Sequence, residues 1–233
     1  MRREALPYSP FDLLAAWLAE AEAAEGIRAR AMVVATSTRA LGATARNVLL
    51  LRCDAHRQQL TFGTSAASLK SRQLAEDPRI EAVFAWGKRQ VRVRGMATLD
   101  NPLGGATDPS SPSRHATREA FGALPRGAQF SLHVAQQGRA LDEEAHAADV
   151  AQVKEMVATA NALAMPQPRP PESYTAVLIE PATFEFYQGT SNVAELGYIE
   201  HDRFLYVKCA TRMPEEGSLD TGMYAWEVRR LQA

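Results

Sequence analysis

Apolar residues near the start of the chain recur at helical spacing: Leu13, Leu14, Trp17, Leu18 and Ala21 form one stripe. Ser9-Pro10-Phe11-Asp12 opens this helix, with serine as N-cap, proline at the first helical position and Asp12 close to the positive end of the helix dipole. Gly26 follows Glu25 as a stop signal. From Ala31 the pattern shortens into β-rich runs, AMVVAT (31–36), NVLLLRC (47–53), QLTF (59–62), IEAVFAW (80–86) and QVRVRGMATL (90–99), interrupted by a single predicted helix over 66–76. In QVRVRG, Val91 and Val93 alternate with Arg92 and Arg94, which predicts a strand with one dry and one wet face. Short strands divided by turn residues predict an antiparallel barrel.

Residues 101–117 (NPLGGATDPSSPSRHAT) are rich in Gly, Pro and Ser and carry no periodicity, so they read as a loop that is a candidate lid. A helix is predicted over 141–163, with Val150, Val153 and Val157 spaced for one face, and the proline-rich PQPRPPE follows it. Strands return at 174–188, 203–210 and 223–231. There is no internal repeat and no long charge run. The expectation is one domain over 1–233: an N-terminal helix (1–30), barrel core (31–100), loop and helices (101–172) and C-terminal strands (173–233).

Composition narrows the partners. Of 233 residues, 46% are hydrophobic, which is enough for a well-buried core, and 26 basic residues balance 27 acidic ones. That balance argues against nucleic acid or a membrane surface as the main partner and favours a small molecule. No apolar run reaches the roughly 18 residues of a membrane span, and the N-terminus lacks a secretory pattern, so a cytoplasmic protein is expected. Cys53 and Cys209 sit in apolar segments as structural thiols; neither a disulfide nor a metal site is expected.

The strongest local chemistry is Phe62-Gly63-Thr64-Ser65-Ala66-Ala67-Ser68-Leu69-Lys70, where a strand runs into hydroxyl residues, a helix start and a lysine. Free backbone N–H groups, hydroxyls and a cation are the ingredients of a phosphate site, although serine and threonine also cap helices routinely. Arg46 enters the strand NVLLLRC and Gln90 opens QVRVRG. Arginine can grip phosphate with two parallel hydrogen bonds, and glutamine can read a heterocycle's edge, but each alone is commonly a surface residue.

Taken in order, these segments resemble the pyridoxamine 5'-phosphate oxidase family across nearly the whole chain. ARNVLLLRCD is similar to its Arg-x-Val-Leu-Leu-Lys flavin strand, LTFGTSAASLKSRQLAEDPR to its phosphate strand and helix, RQVRVRG to its Arg-Gln-Val-Arg-x-x-Gly strand, and PRPPESYTAVLIEPATFEFYQG to its Arg-Pro-Pro segment and Glu-Phe-Trp-Gln-Gly end. The resemblance implies a mainly β fold with helices, a Greek-key FMN-binding split β-barrel with N-terminal and middle helices, and a homodimer with FMN between subunits. It places Arg46 and Lys70 on the FMN phosphate with Thr64 and Ser68 nearby. It sets Val48, Leu49 and Gln90 along the flavin ring, and adds Asn47, Gly63, Gln137 and Tyr187 as cofactor contacts, Tyr187 standing for a tryptophan.

Departures fall on the substrate side. Leu51 stands for the lysine that ends the flavin strand, and Leu69 for a basic residue. Ala120, Leu124 and Ala128 stand for the tyrosine, arginine and serine that hold substrate phosphate, and Val193-Ala194-Glu195 with Gly197 for the late Arg-Leu-His element and its following arginine. A near-dianion without such partners costs several kcal/mol to bury, so vitamin B6 oxidation is not expected. The leading expectation is an FMN-dependent oxidoreductase acting on a small non-phosphorylated metabolite in specialised biosynthesis. The alternative is a non-catalytic flavin or heterocycle binder serving as carrier, sensor or scaffold. His133, Glu195 and Arg126 are the candidates for catalysis, each also readable as structural.

Overall fold

The computed structural model describes residues 6–100, 115–134, 143–189, 201–209 and 225–231. The first helix, α1 (Pro10–Glu25), starts at Ser9, whose hydroxyl accepts from the Phe11 amide, and ends where Gly26 takes a positive φ of 62°. Its buried stripe, from Phe11 to Ala21, lies in the main core. Strands β1 (Ala31–Thr38), β2 (Gly42–Asp54) and β3 (Gln59–Ser65) follow, then α2 (Leu69–Glu76), β4 (Arg79–Trp86) and β5 (Arg89–Leu99). After these come α3 (His115–Gly122), α4 (Arg126–Val134), α5 (Glu143–Ala162), β6 (Tyr174–Gly189), β7 (His201–Cys209) and β8 (Ala225–Arg230).

All pairings are antiparallel, in the order β3-β2-β1-β4-β5-β6-β7-β8, and β3 also pairs with β6. That last pairing closes six strands into a barrel. The sixteen-residue β6 serves both parts: Tyr174–Ile179 bond β3, and Thr183–Gly189 bond β7. This is the split barrel expected from the strand pattern. Gly95 stands at a bulge in the β5–β6 ladder, where a Cβ would overlap the Glu180 carbonyl.

Two expectations change. His115–Thr117 open α3 and are not loop; Thr117 is fully buried, and its hydroxyl accepts from the Ala176 amide. The rest of the candidate lid, 101–114, lies outside the described residues. The helix predicted from 66 begins at Leu69, because Ser68 is its cap. On α5, Val150 is 40% exposed, Val153 and Val157 are half-buried, and Ala160 alone is buried; the helix packs on α4 and not into the barrel core.

Candidate functional site

Register sets the site's two sides. Arg46 lies opposite Val34, in a cross-strand row with Ala82, Val93 and Phe184, all four of which are fully buried. It therefore points to the core side of the sheet. Its Nη1 donates to Thr36 Oγ1 at 2.6 Å, and its Nη2 to Thr44 Oγ1 at 2.6 Å and Gln73 Oε1 at 3.1 Å. The Thr36 and Thr44 hydroxyls also donate to Gln73 Oε1, so this α2 side chain organises the group. Beside it, Lys70 is only 7% exposed and donates to Thr64 Oγ1 at 2.9 Å. Thr64, Ser68 and Ser71 continue the hydroxyl chain, and the Ser68 hydroxyl caps α2 by accepting from the Ser71 amide.

Among the described residues, neither Arg46 nor Lys70 has a carboxylate partner. Burial lowers the pKa of both, and the Arg46 charge lowers that of Lys70 further. Two cations held together by hydroxyls and an amide at a helix start form an anion cradle. The donor set suits a phosphate monoester such as that of FMN.

Next to the cradle, Thr64 also lines a cavity of about 180 Å³ whose other walls include Leu49, Leu51, Leu124, Ala128 and Tyr174. Leu51, Leu124 and Ala128, three of the positions where the resemblance expects polar or charged residues, thus meet around one largely aliphatic space. Gly63 belongs to the same wall: a Cβ there would overlap the Tyr174 hydroxyl, so glycine lets the tyrosine ring cross the pocket floor. Burial raises the phenol's pKa, and Phe121 packs edge-on against its ring at 5.5 Å.

Gln90 and Tyr187 are cross-strand partners, but each alternates with a fully buried neighbour, Val91 and Phe186, so both lie on the opposite, outer face of the sheet. Asn47, opposite Val33, lies on that face too, whereas Val48 packs toward the core and Leu49 lines the pocket. One copy of the chain therefore does not bring Gln90 and Tyr187 to the cradle. Gln137 and Glu195 lie outside the described residues, as do Val193, Ala194 and Gly197.

His133 Nε2 is 2.9 Å from the Arg169 carbonyl oxygen, and the His133 ring packs edge-on against Phe121. Arg126 donates to the Ala160 and Met165 carbonyls, holding the end of α5. Sequence reasoning missed His201 and Arg203. The His201 ring centroid is 5.2 Å from that of Tyr187, and Arg203 is Tyr187's register partner on β7 and bonds Glu185. A histidine followed shortly by an arginine beside Tyr187 is a better counterpart of the resemblance's late element than Val193–Gly197. The signal was present as His-Asp-Arg just ahead of the apolar FLYV run.

Comparison with known proteins bears on the family and the fold. The chain is 30% identical over 233 residues to a pyridoxine/pyridoxamine 5'-phosphate oxidase of Shewanella amazonensis, covering 99% of this chain and 92% of the relative. The chain belongs to the pyridoxine/pyridoxamine 5'-phosphate oxidase family. A second member, from Nitrobacter winogradskyi, is 33% identical over 207 residues, 88% of this chain and 85% of its own. No protein-family model matches. Among solved structures, the fold is shared with PhzG of Burkholderia lata in complex with tetrahydrophenazine-1-carboxylic acid, at TM-score 0.68 and 22% identity over 99% of this chain and 95% of that one. It is also shared with a pyridoxamine 5'-phosphate oxidase-related FMN-binding protein of Nostoc punctiforme, at TM-score 0.65 and 16% identity over 98% and 100%. No helix among the described residues is long and apolar enough to cross a membrane.

Proposed function

We propose that this family member is an FMN-dependent oxidoreductase whose substrate is a small, largely apolar metabolite without a phosphate ester, as in specialised biosynthesis. The observation that carries the reading is the contrast within one site: a two-cation cradle at Arg46 and Lys70 beside an aliphatic pocket at Leu51, Leu124 and Ala128. The cradle fits the cofactor's phosphate. Its aliphatic walls offer no cation, so a phosphate ester seated against them would lose its hydration there without compensation. Bound FMN supplies a ring that takes up a hydride and passes electrons to an acceptor. Arg46 and Lys70 would anchor the phosphate at the end of the cofactor's ribityl chain, Leu49 would line the ring's flank, and the aliphatic pocket would exclude water from the reacting face.

The outer-face group is the second half of the same site in this reading. Gln90, Tyr187, His201 and Arg203 share the sheet face opposite the cradle, so a second copy of the chain is needed to bring them to it. Among the described residues, the buried His201 Nδ1 also has no hydrogen-bond partner. A homodimer that holds FMN between subunits satisfies both observations and makes His201, beside Tyr187, the best-placed proton-carrying group. The test is to purify the protein, measure FMN per subunit and dimer mass, and follow loss of the visible flavin absorption anaerobically. Bleaching by apolar amines or partly reduced rings, and none by pyridoxamine 5'-phosphate, is expected. Protein that takes up no FMN ends the proposal, and flavin that no reductant of this kind bleaches leaves the carrier role.

A further inference from the structure

A second cavity, of about 280 Å³, lies between α3 and the β2–β3–β6 face. Leu51 lines both this cavity and the aliphatic pocket, so the two adjoin. The substituted positions divide between them: Leu124 and Ala128 face the first, Ala120 faces the second, and Leu51 stands at the junction. A small residue at 120 keeps the second cavity open.

Charge enters only here. Arg52 is engaged on both arms, with Nη1 on Glu119 Oε2 at 2.7 Å and Nη2 on Asp54 Oδ2 at 2.9 Å. Arg57 is loosely held by the same two acids, at 3.4 Å from Glu119 and 4.0 Å from Asp54, and its side chain is half exposed. A guanidinium carries five donors, so Arg57 retains several for a ligand in the cavity. Two arginines against two carboxylates leave the group near neutrality, which accommodates one further negative charge on Arg57 far better than a dianion.

We propose that this cavity is the distal part of the substrate pocket and holds the carboxylate of an extended, otherwise apolar molecule against Arg57. Calling the occupant a substrate rests on the oxidoreductase reading; the carboxylate site itself does not. Isothermal titration calorimetry on the full chain tests it with two probes of like size, 1-naphthoate and the neutral 1-naphthalenemethanol. The wild type should bind the naphthoate about tenfold more tightly, the scale of one charge-assisted contact. Arg57→Gln should level the two affinities while Arg52 still ties α3 to β2. Ala123→Phe, which fills the cavity from an exposed position, should weaken the naphthoate. Equal affinities in the wild type, or a preference that both variants leave intact, overturn the proposal. FMN content read in the same samples separates the two ideas: a naphthoate preference in flavin-free protein upholds the cavity and counts against the oxidoreductase, whereas flavin-loaded protein without the preference removes only the cavity.

Discussion

The cradle and the pocket meet at Thr64, yet they are built on opposite principles. The cradle concentrates the half-buried Arg46, the buried Lys70 and a chain of hydroxyls that neutralise neither. The adjoining pocket is mostly leucine and alanine over an aromatic floor, with Thr64 and Ser131 as its other polar walls. An electrostatically costly arrangement persists where an anion relieves it, and nothing in the stability of the empty fold would preserve it otherwise. On the proposed reading, the cofactor half of the site is kept while the substrate half is exchanged, because the two draw on different side chains that meet at Thr64.

Removing a cradle charge should produce the largest effect. Lys70→Met should weaken FMN binding about a hundredfold, the scale of losing one charged contact to phosphate, as measured by quenching of flavin fluorescence. The same change should stabilise the flavin-free protein, because it removes a cation whose protonated form the fold disfavours. The pH dependence follows from the lowered pKa. Below it, Lys70 is protonated in both folded and unfolded chains and the full penalty is present. As pH rises toward 10.5, the folded chain sheds the proton first and the penalty fades. The thermal advantage of Lys70→Met should therefore be greatest at neutral pH and shrink on alkalinisation. An advantage that is constant with pH would mean that packing, not charge, accounts for it.

The reverse experiment puts charge where the pocket has none. Leu51→Lys with Leu124→Arg should cost about 3 kcal/mol of stability by chemical denaturation, because both replace half-buried leucines of a largely aliphatic space with cations. Adding pyridoxal 5'-phosphate should recover part of that loss in the double variant and none in the wild type. If the wild type is stabilised equally, the pocket is not the barrier to phosphorylated substrates. Gly63→Ala ranks next, at about 1–3 kcal/mol, since its Cβ must displace Tyr174. Pairing it with Tyr174→Leu should restore most of the stability, and the failure of that rescue would locate the glycine's role in its backbone.

Much of this was legible before any coordinates, for a physical reason. Strand periodicity and cap residues are local, so α1, the barrel strands and Ser68's capping role followed from neighbouring residues. Arg46, Lys70 and Thr64 were legible because the motif order placed them on one strand pair and one helix. What failed was non-local. The helices α3 and α4 are eight and nine residues long and bury few side chains, too short a window for a clear period. Apolar spacing along α5 showed an apolar face but not whether anything covers it, and Val150 proved exposed. His201 and Arg203 were missed because the chain between Gly189 and His201 shifted the match, and only the β6–β7 register brings them beside Tyr187.

Thr64 supplies the finest test of the contrast, because it belongs to both regions. Its hydroxyl accepts from Lys70 in the cradle, while the residue also lines the aliphatic cavity. Thr64→Val exchanges the hydroxyl for a methyl at nearly constant volume, so it alters the cradle and leaves the pocket's shape. Losing one hydrogen bond to a buried ammonium should cost about 1 kcal/mol, hence about fivefold in FMN affinity. Michaelis constants for an apolar substrate should not move. If they shift as much as the flavin affinity does, then cradle and pocket respond as one unit, and the separation that lets the substrate half change independently is absent from this protein.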